Sequence, residues 1–111
     1  MNIYIAGPMR GYPQHNFPAF DEAKVRGTKL GHRIFNPADL DRAVGVSGDL
    51  SIPLPQNFCR ECVMRDIASL FFCDAIALLP GWEQSTGACA EKALAEWLSL
   101  QILSAVTFQP L

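Results

Sequence analysis

The sequence has 111 residues, of which half are hydrophobic and 18% are charged, and its formal net charge is −2. This composition predicts a single folded domain over residues 1–111 rather than a disordered chain. Of the nine lysines and arginines only Lys92 lies beyond Asp66, so we expect no nucleic-acid polymer as partner, because that needs clustered cations. No export signal and no apolar run of membrane-spanning length is visible, so we expect a cytoplasmic protein without a membrane partner.

The first third of the sequence predicts a strand, a helix and a second strand. Residues 2–6 are mostly apolar and end at Gly7-Pro8, which predicts the first strand. Asn16 is a good helix cap, apolar residues follow at helical spacing, and Gly31 predicts the end of that helix. A short second strand is predicted over residues 33–35.

Residues 36–56 are rich in proline, glycine and serine and show at most one turn of helix, at 38–43. A loop of this length in a small domain is more often functional than not. We therefore consider two interpretations, a lid over a binding site and an insertion without function.

The remainder predicts a helix over about 57–71, a strand over 75–79, a helix over about 85–100 and a strand over 101–108. Strands that alternate with helices are typical of an open parallel sheet. The predicted fold is therefore α/β, a single-domain open parallel sheet of about four strands, Rossmann- or flavodoxin-like.

Ligands of such sheets bind at the carboxyl ends of the strands, which directs attention to the loops 7–16 and 80–86. The first loop lacks the glycine signatures of dinucleotide-binding and P-loop proteins. It offers flexible glycines and Arg10, whose guanidinium suits a phosphate or carboxylate. The second loop leads to Ser85 and Thr86, which place hydroxyl groups and free N–H groups at the start of a helix.

Acidic residues on the apolar faces of two helices are the candidates for catalysis. Glu91 lies on the same helical face as Gly87 and Leu94, and a carboxylate turned toward apolar surface is costly unless it is paired or used. The alternative is a solvated glutamate near a helix start. Asp66 lies on a similar face, where the alternative is a buried salt bridge with Arg65 or Arg10. Asp74 is explained as a turn residue.

The four cysteines are Cys59, Cys62, Cys73 and Cys89. Two disulfides are possible in principle, but a chain with a sizeable core and no export signal does not need them. Cys59 and Cys62 have C-x2-C spacing without a second pair or a nearby histidine, so we expect no metal site and interpret the cysteines as buried free thiols. A Cys-based metal or redox protein remains a third hypothesis.

The stretches IYIAGPMRG, NPADLD and RDIASLFFCDAIALLPGWEQSTGACAEKALAEWL carry a family resemblance. Over nearly the whole chain the sequence resembles the nucleoside 2-deoxyribosyltransferase-like superfamily, and in particular a small bacterial and phage branch of it. The characterised relatives that it resembles best are the 2′-deoxynucleoside 5′-monophosphate N-glycosidases.

The resemblance implies a role for individual residues. Tyr4 precedes a glycine loop in which Gly7, Arg10 and Gly11 match substrate-binding positions, although Pro8 stands where the family has a phosphate-binding serine. Asp66 lies eight residues before a second aspartate, as the family's catalytic aspartate does.

The family's nucleophilic glutamate follows the pattern Ser-x-Gly-x-x-x, which Ser85, Gly87 and Glu91 match. Ser85 and Gly87 are thereby implied to bind substrate, and Glu91 to attack the anomeric carbon. Asp66 would protonate the departing base or position the nucleophile, and Tyr4 would hold the Glu91 carboxylate.

The expected function is therefore cleavage of the N-glycosidic bond of a (deoxy)nucleoside or nucleoside 5′-monophosphate, by hydrolysis or transfer. The expected partner is this small molecule, without a metal or organic cofactor. The alternative is a non-catalytic nucleotide-binding or nucleotide-sequestering module on the same fold.

The sequence also predicts a homodimer or higher homo-oligomer. Apolar residues lie outside the core-facing stripes of the last two helices, and such patches usually mark interfaces. They are Phe71, Phe72, Trp97 and Leu100.

Overall fold

The computed structural model describes residues 1–54 and 57–111. The strands are β1 (Asn2–Ala6), β2 (Arg33–Phe35), β3 (Ala75–Leu78) and β4 (Gln101–Ser104), and the helices are α1 (Phe17–Lys29), α2 (Pro37–Ala43), α3 (Phe58–Leu70) and α4 (Thr86–Trp97). Single turns of 3-10 helix lie at Pro13–Asn16 and Trp82–Gln84. The alternation of strands and helices that the sequence predicts is confirmed.

The four strands form one sheet in the order β2-β1-β3-β4, and every neighbouring pair is parallel. This is the open α/β sheet of the Rossmann-like class that we predicted. From β1 the chain passes first to one side, to β2, and then returns to the other side, to β3. Such a reversal of strand order opens a crevice at the carboxyl ends of the two central strands, β1 and β3.

Alternating side chains of β1 contribute to two separate hydrophobic clusters, as the period of a strand requires. Ile3 and Ile5 pack with Phe20 of α1 in one cluster. Tyr4 and Ala6 belong to the second cluster, which includes small residues of α4 such as Ala88 and Ala95. The first strand therefore directs Tyr4 toward the side of the sheet where α4 lies.

Asn16 precedes α1 at the N-cap position, as predicted, but its side chain does not cap the helix. Its backbone is left-handed, with φ of 60°, and its Nδ2 donates to the carbonyl oxygen of Pro8 at 2.8 Å. Asn16 therefore ties the loop after β1 to the start of α1. At the other end of α1, Gly31 has a φ of +89°, which favours glycine and explains why the helix ends there.

The predicted fourth strand is too long. Strand β4 ends at Ser104 rather than at Phe108, because the Ser104 hydroxyl accepts a hydrogen bond from Val106 N at 3.1 Å and its carbonyl accepts one from Phe108 N at 2.7 Å. These bonds turn the chain, and Phe108 adopts a left-handed backbone with φ of 57°. Local polar bonding thus outweighs the strand propensity of this segment.

The segment 36–56 contains more structure than one expected turn. Asn36 caps α2 by accepting a hydrogen bond from Ala38 N at 3.1 Å, and Pro37 fits the first helical position. Residues 44–54 contain no helix or strand. The end of the predicted loop, residues 55–56, lies outside the described residues.

Among the helices that the structure describes, none has both the length and the apolar character needed to cross a membrane.

Candidate active site

A cleft of about 870 Å³ lies over the carboxyl ends of β1 and β3. Its walls come from the loop after β1, from α3 and from one side of α4, and Val46 and Leu54 extend it from the segment after α2. The segment 36–56, for which a lid and an insertion without function were both considered, thus contributes to the wall of the cleft. The volume suits a small-molecule ligand, and the position is the one expected for a parallel α/β sheet.

At the base of the cleft the Tyr4 side chain is completely buried, and its hydroxyl donates a hydrogen bond to Glu91 Oε2. Burial raises the pKa of Tyr4 well above its ordinary value, and the charges of Glu91 and Asp66 raise it further. The phenol therefore stays protonated and serves as a donor to the carboxylate.

Glu91 is carried by α4, one helical turn after Gly87, and both residues line the cleft. Burial raises the pKa of Glu91 from 4.5 to about 8, while the hydrogen bond from Tyr4 opposes this shift and the neighbouring Asp66 adds to it. Glu91 is thus a partly desolvated acid that faces the cleft, in contrast to a solvated glutamate at a helix start.

Asp66 projects from α3 into the same cleft, and its Oδ1 atom is buried without a hydrogen-bond partner among the described residues. Burial raises the pKa of Asp66 to about 6, the charge of Asp41 raises it further, and Arg65 and Tyr4 lower it. The predicted alternative of a salt bridge to Arg65 or Arg10 is wrong for the described residues, because neither arginine pairs with Asp66. The acid is left available to the cleft.

Asp41 is a third acid of the cleft, and the sequence reasoning did not single it out. It is 5% exposed, its Oδ1 lies 3.4 Å from Arg65 Nη2, and it accepts a hydrogen bond from Cys62 Sγ at 3.3 Å. Burial raises its pKa, and Cys62 and Arg65 oppose that shift. Helical spacing is the sequence signal that could have identified Asp41. It lies four residues after Pro37 and three after Ala38, so it shares their buried face of α2.

Arg10 and Ser85 both line the cleft, on the loops that follow β1 and β3. Because β1 and β3 are parallel neighbours, these two loops leave the sheet side by side. Arg10 donates to Cys59 Sγ at 2.9 Å and lies 5.6 Å from the centre of the Phe58 ring. The Ser85 hydroxyl accepts a hydrogen bond from Ala88 N at 3.1 Å and caps α4. Both side chains are therefore held in place by the fold.

The glycines matched by the family resemblance have different structural reasons. A Cβ atom on Gly7 would lie 2.7 Å from the Cβ of Leu79, the residue that follows β3, so close packing is a sufficient reason for glycine there. A Cβ atom on Gly87 would meet nothing closer than Ser85 Oγ at 4.0 Å, so the fold leaves open space beside Glu91. Gly11 has a φ of +80° and does not line the cleft, so its predicted contact with substrate is not supported and it serves the turn.

Asp74 acts at the opposite end of the sheet. Its carboxylate accepts a hydrogen bond from Asn2 N at 2.9 Å, and its own N–H donates to Asn2 O at 2.7 Å. This pair of bonds joins the entry of β3 to the start of β1, which agrees with the interpretation of Asp74 as a turn residue.

The expectation that all four cysteines are buried is wrong for two of them. Cys73 is buried and Cys62 is partly buried, whereas Cys59, which lines the open cleft at the start of α3, and Cys89, near the start of α4, are exposed. Over residues 1–54 and 57–111 the cysteines are free thiols, and no group of three or more potential metal ligands is found.

Residues 1–104 match the family described as "Domain of unknown function (DUF4406)". The chain belongs to this family. No curated protein matches the sequence. Because the family description names no activity, the function of this DUF4406 domain has to be inferred from its cleft.

The raised pKa of Glu91 predicts a pH dependence of stability. Below pH 4.5 the carboxyl group is protonated in both the folded and the unfolded chain. Between pH 4.5 and about 8 it ionises only in the unfolded chain, so folding stability falls as the pH rises through this window. Glu91→Gln removes this loss and should be more stable than the wild type above about pH 8, by on the order of a few kcal/mol.

Urea unfolding of both proteins between pH 4 and 9 measures this difference. Glu96→Gln, on the solvent-exposed side of the same helix, is the matched control and should follow the wild type. A constant difference between Glu91→Gln and the wild type across this range would contradict the desolvated position of Glu91.

Proposed function

We propose that this protein cleaves the N-glycosidic bond of a nucleoside or nucleoside 5′-monophosphate, with a 2′-deoxy sugar preferred. The observation that carries the proposal is the arrangement of Tyr4, Glu91 and Asp66 in the cleft, where a buried phenol binds one carboxyl group and a second carboxyl group lies close by. Retaining glycosidases use a pair of carboxyl groups for catalysis. The resemblance of these positions to the nucleoside 2-deoxyribosyltransferase-like superfamily supports the same activity.

In the proposed mechanism the Glu91 carboxylate attacks C1′, and a covalent glycosyl-enzyme forms as the bond between C1′ and the base nitrogen breaks. Asp66 supplies the proton that the departing base takes up. Water then attacks C1′, gives a proton to the Asp66 carboxylate and releases Glu91. In a transfer reaction the nitrogen of a second base attacks C1′ instead and gives up its proton in the same way. Tyr4 holds the nucleophile by its hydrogen bond.

The pKa values of the two carboxyl groups bear on these roles. Burial raises the pKa of both Glu91 and Asp66, so the free protein favours the protonated form of each carboxyl group. The mechanism needs Glu91 ionised and Asp66 protonated. We propose that the positive charge developing at C1′ favours the Glu91 carboxylate, since charge in a cleft of low polarity acts strongly on a neighbouring group.

Space and hydrogen bonding also favour a sugar at this position. Gly87 leaves the surface beside Glu91 free of a side chain, and Asp66 Oδ1 offers a buried acceptor. A sugar hydroxyl group is a suitable donor for that acceptor, and an unsatisfied buried acceptor gains from binding one.

Glu91→Gln should abolish base release, by at least about a thousandfold in kcat, with ligand affinity changed by less than about tenfold, because it removes a group that acts in the transition state. Asp66→Asn should slow turnover strongly. Free base released from a panel of nucleosides and monophosphates is the measurement, and mass spectrometry of acid-quenched protein should find the sugar on Glu91.

Glu96→Gln again serves as the matched control and should retain the wild-type rate. A sugar adduct on Asp66 instead of Glu91 would reverse the two roles. A wild-type protein that binds nucleotides without releasing any base would establish the alternative function, a nucleotide-binding module. A raised pKa favours that alternative in one respect, since a protonated Glu91 is a hydrogen-bond donor rather than a nucleophile.

A 5′-phosphate is the proposed ligand of Arg10 and of the amino end of α4. A charge-assisted contact of this kind contributes about 1.5–3 kcal/mol, which is one to two powers of ten in affinity. The monophosphate should therefore have a higher kcat/KM than its nucleoside, and Arg10→Ala should remove most of that preference. Arg60→Ala, an exposed arginine of α3 that does not line the cleft, is the control. Equal kcat/KM values for both substrates in the wild type would reject the phosphate contact.

We also propose that the protein forms a homo-oligomer. Phe71, Phe72 and Trp97 are exposed, with 84% of Trp97 accessible, whereas Leu100 packs partly buried against the second cluster and was wrongly assigned to the patch. Exposed aromatic residues of this kind usually mark interfaces. Sedimentation should show a dimer or larger species that Trp97→Lys weakens. A monomer at all concentrations would contradict this proposal.

A further inference from the structure

The C-x2-C pair at the start of α3 lines the cleft and has no part in the proposed glycosidic chemistry. Cys59 and Cys62 are three residues apart on one helix, and both belong to the cleft wall. Residues at this spacing lie on the same helical face, with Cβ atoms about 5–6 Å apart. The two sulfur atoms differ in exposure and in their partners, and that difference gives each a separate chemical role.

Cys59 is the sulfur that an incoming molecule can reach. It is exposed, and Arg10 Nη2 donates to its Sγ at 2.9 Å. Reactive cysteines occur in partly exposed, electropositive surroundings of this kind. Cys89 is also exposed, but its sulfur lies near the carbonyl oxygens of Trp82 and Glu83 at 3.6 Å and no cationic partner is described for it.

Cys62 is less accessible than Cys59, and its thiol is hydrogen-bonded to a carboxylate that can accept its proton. Its thiol donates to Asp41 Oδ1 at 3.3 Å, and Arg65 Nη2 donates to its sulfur at 3.1 Å. Burial raises the pKa of Cys62 to about 12, and the charge of Asp41 raises it further. Cys62 is therefore an unreactive thiol until a base removes its proton, and Asp41 is in position to do so.

A disulfide between them requires Cβ atoms about 3.5–4.5 Å apart, which is a small tightening of one helical turn. This turn lies at the start of α3, where the backbone is held by fewer helical hydrogen bonds than in the middle of the helix. Asn57, with a left-handed φ of 62°, precedes it, and the backbone bond from Glu61 N to Asn57 O is 3.2 Å long. The end of a helix accommodates such a shift more readily than its middle.

We propose that Cys59 and Cys62 form a thiol–disulfide exchange site whose substrate is the disulfide of a small-molecule thiol, such as glutathione disulfide. The Cys59 thiolate attacks one sulfur of that disulfide, a mixed disulfide forms, and one small thiol leaves. Cys62 then passes its proton to Asp41 and attacks the Cys59 sulfur, and the second small thiol leaves after taking up a proton. The protein loses two thiol hydrogens, and the small disulfide is reduced to two thiols.

The test is incubation of the reduced protein with glutathione disulfide at neutral pH, followed by mass spectrometry of the intact protein and of its peptides. The Cys89→Ser background removes the other exposed thiol. The expected product has lost two hydrogens and links Cys59 to Cys62. Cys62→Ser should instead accumulate one glutathione unit on Cys59, and Cys59→Ser should form neither product at a comparable rate.

Two further variants separate the steps. Arg10→Ala should slow the first step, by about threefold or more, because the cation beside the attacking sulfur is lost. Asp41→Asn should leave the first step unchanged and cause the mixed disulfide to accumulate. Circular dichroism and a melting curve establish that each variant is folded, and Cys62→Ser keeps the first step measurable if Asp41→Asn does not fold.

A wild-type protein that keeps a stable mixed disulfide on Cys59 without closing it would overturn the proposal. So would a Cys59 that reacts no faster than Cys89 when the two are compared in the wild-type protein. The assay contains no nucleoside or nucleotide and detects only the sulfur chemistry of Cys59 and Cys62. The outcome is therefore independent of whether the protein cleaves glycosidic bonds.

Discussion

The hydrogen bond between the Tyr4 phenol and the Glu91 carboxyl group is the contact on which the cleft depends. A phenol that is completely buried needs a partner, and a carboxyl group on an apolar helix face needs a donor. The phenol donates its hydrogen bond to the carboxyl group, although the two residues are 87 positions apart in the sequence. The bond thereby fixes α4 against β1 and sets the direction in which the acid faces.

Strand order supplies the space above that contact. Because β1 and β3 are neighbours and parallel, the loops that follow them emerge side by side at one edge of the sheet. The helices α3 and α4 close the sides, and the segment after α2 adds Val46 and Leu54. A cleft at this place requires no special loop sequence, which explains how the fold forms one without a glycine signature for phosphate binding.

Burial of the three carboxyl groups in the cleft lowers the stability of the folded protein. Asp41 has Arg65 as a nearby cation, whereas Glu91 has the Tyr4 hydroxyl as its partner and the charge of Asp66 disfavours its ionisation. A fold selected for stability alone would not bury this arrangement. Unfavourable electrostatics of this sort concentrate at functional sites, because the same desolvation that raises a pKa also strengthens the action of a charge on a ligand.

The sequence by itself determined the strands β1 to β3, the parallel α/β class and the positions of Asp66 and Glu91 on the cleft side of their helices. These follow from local periodicity, which a helix or strand imposes on its own residues. Only the tertiary structure decided that Arg65 pairs with Asp41 instead of Asp66, that Cys59 is exposed, that Gly7 is required by Leu79, and that β4 ends at Ser104. Partners far apart in the sequence, and hydrogen bonds competing within a turn, leave no periodic signal, because the distances between such groups are set only when the chain has folded.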